Sequence, residues 1–343
     1  MRTAVIPERR VLLPTQVTRA QLHGLGSSLT MVTAEGATMG TYWALKALVP
    51  DQDGRARCTH CVQAAFDHVV RQMSGWSATS DLTRFNQAPA GTWHSLPADF
   101  FRVLQRACEL AEDSQGAYDP TVGEVVDLLG FGPRGPDVTL DEPALHNARR
   151  RVGWKALRLD PENQRAFQAG GVCVDLSSIA KGYAVDLAAD ALMAAGVDNF
   201  LLEIGGEVRA RGCKPDGQPW WCWVERPPAG PDVEALPETV VGLCDGALAT
   251  SGSYRRYRDA RGRRWSHLID PRTGESLSDD LVSVSVFAPS CMDADGYATV
   301  LYVLGVEEGF RWATARNVAA LFVFRSAKGL AERGTPAWNA MGE

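Results

Sequence analysis

Four short stretches of this chain gather the residue types that bind anions, hold hard cations or move protons. In Asp293-Ala294-Asp295-Gly296-Tyr297-Ala298-Thr299, Asp295 and Thr299 are four residues apart, so both share one face of a helix. A carboxylate beside a hydroxyl is a hard oxygen pair. It suits Mg2+, which takes few protein ligands and keeps water or phosphate in its other positions. An ordinary helix start, with Asp293 as cap and Asp295 favoured by the dipole, accounts for the same residues. The stretch from Val174 to Tyr183 carries Asp175, Ser177, Ser178 and Lys181. It reads as a strand running into a Ser-Ser turn that caps the next helix, whose free N–H groups suit a pyrophosphate. Lys181 falls in the first turn, where the dipole disfavours a cation. That placement points either to an anionic ligand or to a plain surface lysine.

The third stretch is a turn, and the fourth comes in two parts. Ala117-Tyr118-Asp119-Pro120-Thr121-Val122-Gly123 places Asp119 before a proline, which holds it in extended backbone. Such a turn offers backbone N–H and C=O groups at a pocket edge, or simply ends a helix. Ala249-Thr250-Ser251-Gly252-Ser253-Tyr254 reads as a tight turn of small hydroxyl residues. His267-Leu268-Ile269-Asp270-Pro271-Arg272-Thr273-Gly274 sets a histidine three residues before a carboxylate. The pair has the composition of a general base with a carboxylate nearby, but a single His near an Asp is common, and read alone the stretch favours a structural histidine. Gly205-Gly206 allows either a close ligand approach or a simple turn.

Elements able to position these stretches are legible from periodicity. Val62, Ala65, Phe66, Val69, Val70 and Met73 recur at helical spacing, as do Phe100, Leu104, Ala107 and Leu110 within Asp99 to Ala111. Ser178 to Ala195 and Ala294 to Leu304 also read as helices. Phe200 to Ile204 and Val318 to Phe324 read as strands, and Val282, Val284 and Val286 alternate with serines as in a half-buried strand. Gly132 to Pro136 and Pro227 to Pro231 mark loops. Residues 1–34 lack clean periodicity and read as a loosely held extension, ahead of one domain over residues 35–335. The mixture is α+β, without repeats.

Composition sets the outer bounds. The chain has 343 residues, 45% hydrophobic and 22% charged, ample for a large core. A net charge of −6 argues against nucleic acid as the main partner. No apolar run is long enough to span a membrane. The charged start, with Arg2, Glu8, Arg9 and Arg10, lacks the apolar core of a signal peptide. The expected location is cytoplasmic, or periplasmic and membrane-associated if translation starts elsewhere. The eight cysteines are scattered, and Cys58-Thr59-His60-Cys61 reads as ordinary thiols at a helix start, since no second ligand pair stands at zinc spacing.

Taken in order, these segments resemble the ApbE-type FAD:protein FMN transferase family. The resemblance opens at Met39-Gly40-Thr41 and continues through Met73-Ser74 and Ser80 to Asn86. It then takes in the Tyr118 to Gly123 turn, Asp175 to Asp186, Gly205-Gly206, Ala249 to Tyr254, His267 to Gly274 and Asp293 to Thr299. It implies an α+β, T-fold-like catalytic domain with two lobes around an FAD cleft. By motif matching, Met39, Trp76, Ala117, Tyr118, Asp119, Asp175, Lys181 and Ile269 would line the FAD site. Ser178, Asp295 and Thr299 would lie at Mg2+, and His267 would be the base for the acceptor hydroxyl. The substrate would be FAD and the partner an FMN-acceptor flavoprotein, in this family often a subunit of a membrane redox complex. Where many relatives have Asp or Asn, this chain has Ser253. Two other activities share these motifs: hydrolysis of FAD to FMN and AMP, and flavin binding without catalysis.

Overall fold

A computed structural model describes residues 9–18, 22, 29–51, 53–137, 139–227, 236–254, 257–260, 263–278, 280–327 and 329–342. Most of the loop expected at Pro227 to Pro231 lies outside them.

The scaffold is one antiparallel sheet of eight strands. In chain order these are β1 (Thr30–Thr38), β2 (Thr41–Val49), β3 (Phe200–Ile204), β4 (Glu207–Arg211), β5 (Asp245–Gly252), β6 (Leu281–Ala288), β7 (Ala319–Ser326) and β8 (Gly329–Gly334). Each strand lies beside its predecessor in the chain, and every pairing is antiparallel. Two-residue turns make two of the corners. Met39 and Gly40 join β1 to β2, and Gly205 and Gly206 join β3 to β4. All four residues have positive φ, the backbone that matches the right-handed twist of a hairpin.

Four long helices cover one face: α1 (Gly54–Met73), α2 (Ala98–Asp113), α3 (Ala180–Ala194) and α4 (Cys291–Ala315). Their apolar stripes, including Val62, Phe66 and Val69 of α1 and Leu104, Ala107 and Leu110 of α2, meet Trp43, Leu45 and Ala47 of β2 in the main core. Each fully buried Val, Leu or Phe there contributes about 1.5–3 kcal/mol. α4 bends at Gly305, where φ is 74°.

The other face of the sheet is covered as well, which sequence periodicity did not anticipate. Arg9–Leu12 pairs in parallel with Glu238–Leu243, which pairs with Trp220–Trp223. These strands bury Leu12, Trp220, Val241 and Leu243 against Val208, Leu248, Phe287 and Leu321. β6 is therefore buried along its whole length rather than half-buried. Val284 and Val286 pack toward α4, and Ser283 and Ser285 are enclosed too, with Ser285 hydrogen-bonded to Thr250 at 2.8 Å. The extension read as loosely held thus supplies one strand to this layer, and a boundary at residue 34 falls inside β1.

A smaller lobe packs around Val125, Leu128, Leu145, Trp265 and Ile269, from short helices Gly123–Leu128 and Glu142–Arg149 and the strap that carries His267. The α+β class and its lobed construction stand as expected from the sequence. Among the described residues no helix is long and apolar enough to cross a membrane.

Candidate functional site

The starts of α3 and α4 meet, and each helix caps the other. Asp186 of α3 accepts hydrogen bonds from the backbone N–H groups of Cys291 and Met292, both at 2.9 Å. Asp295 of α4 accepts one from the Gly182 N–H at 2.9 Å. Free N–H groups in the first turn of a helix need such acceptors. The approach demands glycine at position 182, since a Cβ there would stand 2.3 Å from the carbonyl oxygen of Cys291. The Ser-Ser cap expected from the sequence does not form. α3 starts at Ala180 with Ile179 as its N-cap and no side-chain cap, because a carboxylate from another helix serves instead. Nor does Asp293 cap α4. Ser290 does, accepting from the Asp293 N–H at 3.1 Å, while Asp293 pairs with Arg106.

Around these helix starts lie most of the polar residues singled out above. Ser178 donates to the Tyr118 hydroxyl at 2.9 Å. Tyr118 and Ala117 are buried, and burial, the first cause, pushes the Tyr118 phenol far up, with Asp295 and Asp175 adding to it. Asp175 holds its own turn, accepting from the Ser177 N–H at 2.7 Å, and its N–H donates to the Pro120 carbonyl. Asp119 is spent on the scaffold. One oxygen takes the Thr121 N–H and hydroxyl and the other takes the Trp154 N–H at 2.9 Å. Thr299 stands one turn after Asp295 on α4, its hydroxyl 3.4 Å from that of Ser251. Ser251 belongs to the end of β5, so Ala249 to Gly252 is a strand rather than the tight turn expected.

Lys181, placed against its helix dipole, is paired with Glu207 Oε1 at 2.5 Å. Sequence reading passed over Glu207. Its signal was faint, a carboxylate directly after a glycine pair. It is 4% exposed, and its Oε2 is buried without a hydrogen-bond partner. Burial, the first cause, pushes both the Glu207 and Asp295 carboxyls up, and Lys181 pulls both back. Two buried carboxylates beside one ammonium leave a deficit of positive charge. The Asp295 carboxylate and the Thr299 hydroxyl, one turn apart on α4, are a donor pair that fits a hard divalent cation.

The remaining residues sit on the site's outer elements. Met39 is at the tip of the β1–β2 hairpin with φ of 47°, and Trp76, 63% exposed, follows α1. His267 lies between two apolar clusters. Leu268 packs into the one under α4, Trp265 and Ile269 into that of the smaller lobe, and the imidazole meets Phe131 edge-on. The nearby carboxylate noted in the sequence is engaged by an arginine. Asp270 binds Arg272 through both oxygens at 2.9 Å. Ser253 is buried. A separate cavity of about 610 Å3, lined by residues that include Arg209, Arg211, Phe287 and Met341, contains none of these side chains.

A meander sheet with two reciprocally capped helices, and buried carboxylates at their shared start, defines the α+β domain. The chain belongs to the ApbE family, whose model matches residues 39–322. It is 36% identical to a Haemophilus influenzae protein named FAD:protein FMN transferase, over 91% of this chain and 92% of that one. A Vibrio cholerae relative of the same name is 37% identical over 91% and 92%. Among solved structures, the apo form of the Pseudomonas stutzeri flavinyl transferase ApbE matches with a TM-score of 0.82 and 34% identity, covering 91% of this chain and 97% of that one. The flavin transferase ApbE from Vibrio cholerae matches with the same TM-score and identity, at 91% and 99% coverage.

Proposed function

We propose that this chain is a flavin transferase that moves the FMN half of FAD onto a threonine or serine hydroxyl of an acceptor protein, with Mg2+ bound at Ser178, Asp295 and Thr299. Flavin transfer rests on family membership and on the names of relatives that match over most of their length. The observation that carries the finer reading is the buried Asp295, anchored by the Gly182 N–H with Thr299 one turn away. That pair suits a hard cation against linked phosphates.

In this reading Tyr118 and Ser178 form one wall of the FAD site, and Asp119 and Asp175 hold the two turns that meet there. A bound Mg2+ would supply charge neutralisation on the pyrophosphate. The residues supply position, which provides most of the rate in transfers at phosphorus. The acceptor oxygen forms a bond to the FMN phosphorus, the pyrophosphate P–O bond breaks, AMP leaves, and His267 takes the hydroxyl proton. The acceptor is a flavoprotein such as a subunit of a membrane redox complex.

The test is incubation with FAD, Mg2+ and an acceptor domain bearing the target threonine. The expected result is an acceptor heavier by one phosphoester-linked FMN, with AMP released in equal amount. Free FMN beside an unlabelled acceptor would replace this reading with FAD hydrolysis.

A further inference from the structure

Glu207 opens β4, delivered there by the Gly205-Gly206 turn. Its two carboxylate oxygens are treated differently. Oε1 holds the Lys181 ammonium, and Oε2 is buried without a hydrogen-bond partner. Asp295 lies within electrostatic range of both Glu207 and Lys181. Lys181 precedes Gly182, whose N–H grips Asp295 Oδ2, so the turn of α3 that carries the ammonium is also the one that holds the Asp295 carboxylate of α4. A lysine is a point charge on a flexible four-carbon stem. Between two buried carboxylates, it is held by whichever offers the better ion pair.

We propose that Glu207 is a positioning residue that keeps the Lys181 ammonium off Asp295, leaving Asp295 open to the divalent cation. The inference rests on the reading that a cation binds at Asp295. The physical reason is competition. An ammonium and a hard cation seek the same oxygens, and in a low-dielectric site a positive charge on Asp295 repels a second one. The Gly182 hydrogen bond commits Oδ2, so Oδ1 is the contested atom. With Glu207 charged, the ammonium is retained at Oε1. With a neutral amide there, the pull of Asp295 on the Lys181 ammonium is no longer opposed by a charged Glu207, and the cation must displace it.

The experiment measures binding of Mn2+ alone, without FAD, to the full chain by the EPR signal of the free ion. Glu207→Gln should weaken Mn2+ binding about tenfold, the scale at which residues behind the ligands act on a metal. Lys181→Met should bind as tightly as the unaltered chain or more tightly. The double variant, Glu207→Gln with Lys181→Met, should match Lys181→Met, because the competitor is gone. A double variant as weak as Glu207→Gln would make Glu207 a ligand in its own right and overturn the proposal, as would a Glu207→Gln chain that binds normally. Should Glu207→Gln fail to fold, the charge-balanced double variant compared with Lys181→Met decides the same point. Mn2+ binding unaffected by Asp295→Asn, or absent from the unaltered chain, would instead sink the underlying reading of the cation site.

Discussion

Asp186 and Asp295 exchange places across the joint between two helices: each is a carboxylate of one helix satisfying the backbone of the other. Asp186 also holds Arg209 of β4 in an ion pair. Asp295 therefore stands on a joint between helices and not on a loop. A carboxylate at that joint is fixed by one hydrogen bond and by the packing of two helices on a sheet.

Removing one side of the exchange should be costly. Asp186→Ala leaves the N–H groups of Cys291 and Met292 and the Arg209 guanidinium without their acceptor. An expected loss of about 3 kcal/mol follows from stranding a partly buried charge and its hydrogen bonds. Equilibrium unfolding in urea reads it directly, and a change under 1 kcal/mol would show that the joint contributes little.

Gly182→Ala tests the closeness of the two helix starts. The added Cβ lies 2.3 Å from a backbone carbonyl that cannot move without α4. The expected outcome is destabilisation of about 1–3 kcal/mol, as for overpacking in a rigid interior. Loss of Mg2+-dependent transfer should accompany it. A variant with unchanged melting and unchanged Mg2+ requirement would contradict this account.

Asp295→Ala should abolish FMN transfer, a fall of at least about a hundredfold, as for loss of a preorganised electrostatic group. The fold should survive with about 1–3 kcal/mol lost at the Gly182 N–H. Transfer rates and near-UV circular dichroism of one preparation separate these effects. Transfer at the unaltered rate would remove Asp295 from the mechanism.

His267→Ala should lower transfer by about a hundredfold to ten-thousandfold, the range of a general base. FAD binding should be retained, since the proposed part of the imidazole is to take the acceptor's proton and not to hold the nucleotide. Titration of FAD fluorescence together with acceptor labelling provides both numbers. Equal losses in binding and transfer would assign His267 a structural part.

Asp99 gives the helical layer one pH-dependent contribution to stability. It ties three helices together, bonded to His68 of α1 and Tyr183 of α3. Burial works to raise its carboxyl, but the hydrogen bonds from Tyr183 and His68 outweigh it and leave the group below its ordinary value of 3.8. A depressed carboxyl stabilises the fold above the unfolded-state value, and that stability is lost as pH falls below 3.8 through the folded-state value. Asp99→Asn should therefore lower the melting temperature at pH 6 and converge on the unaltered chain at about pH 2. Parallel melting curves with a constant gap across that range would refute the assignment.

Most of the site's stretches were legible because their signals are local. The Asp295 to Thr299 spacing, the Tyr118 to Gly123 turn and the glycine pair before Glu207 are each written within seven residues, and the helical stripes of α1 and α2 recur every third or fourth residue. Their order along the chain pointed to the ApbE family. What stayed hidden depends on partners far apart in sequence. Arg9–Leu12 is a strand because Glu238–Leu243 lies beside it, and the serines of β6 are buried because a second layer covers them. Lys181 reads as a misplaced cation until β4 brings Glu207 to it, and Asp295 reads as a dipole-favoured acid until Gly182 turns it into another helix's cap. Periodicity reports which face of an element is apolar. Which carboxylate meets which N–H is decided by the closing of long loops and by the penalty for leaving a buried polar group alone, and those terms exist only once the chain has packed.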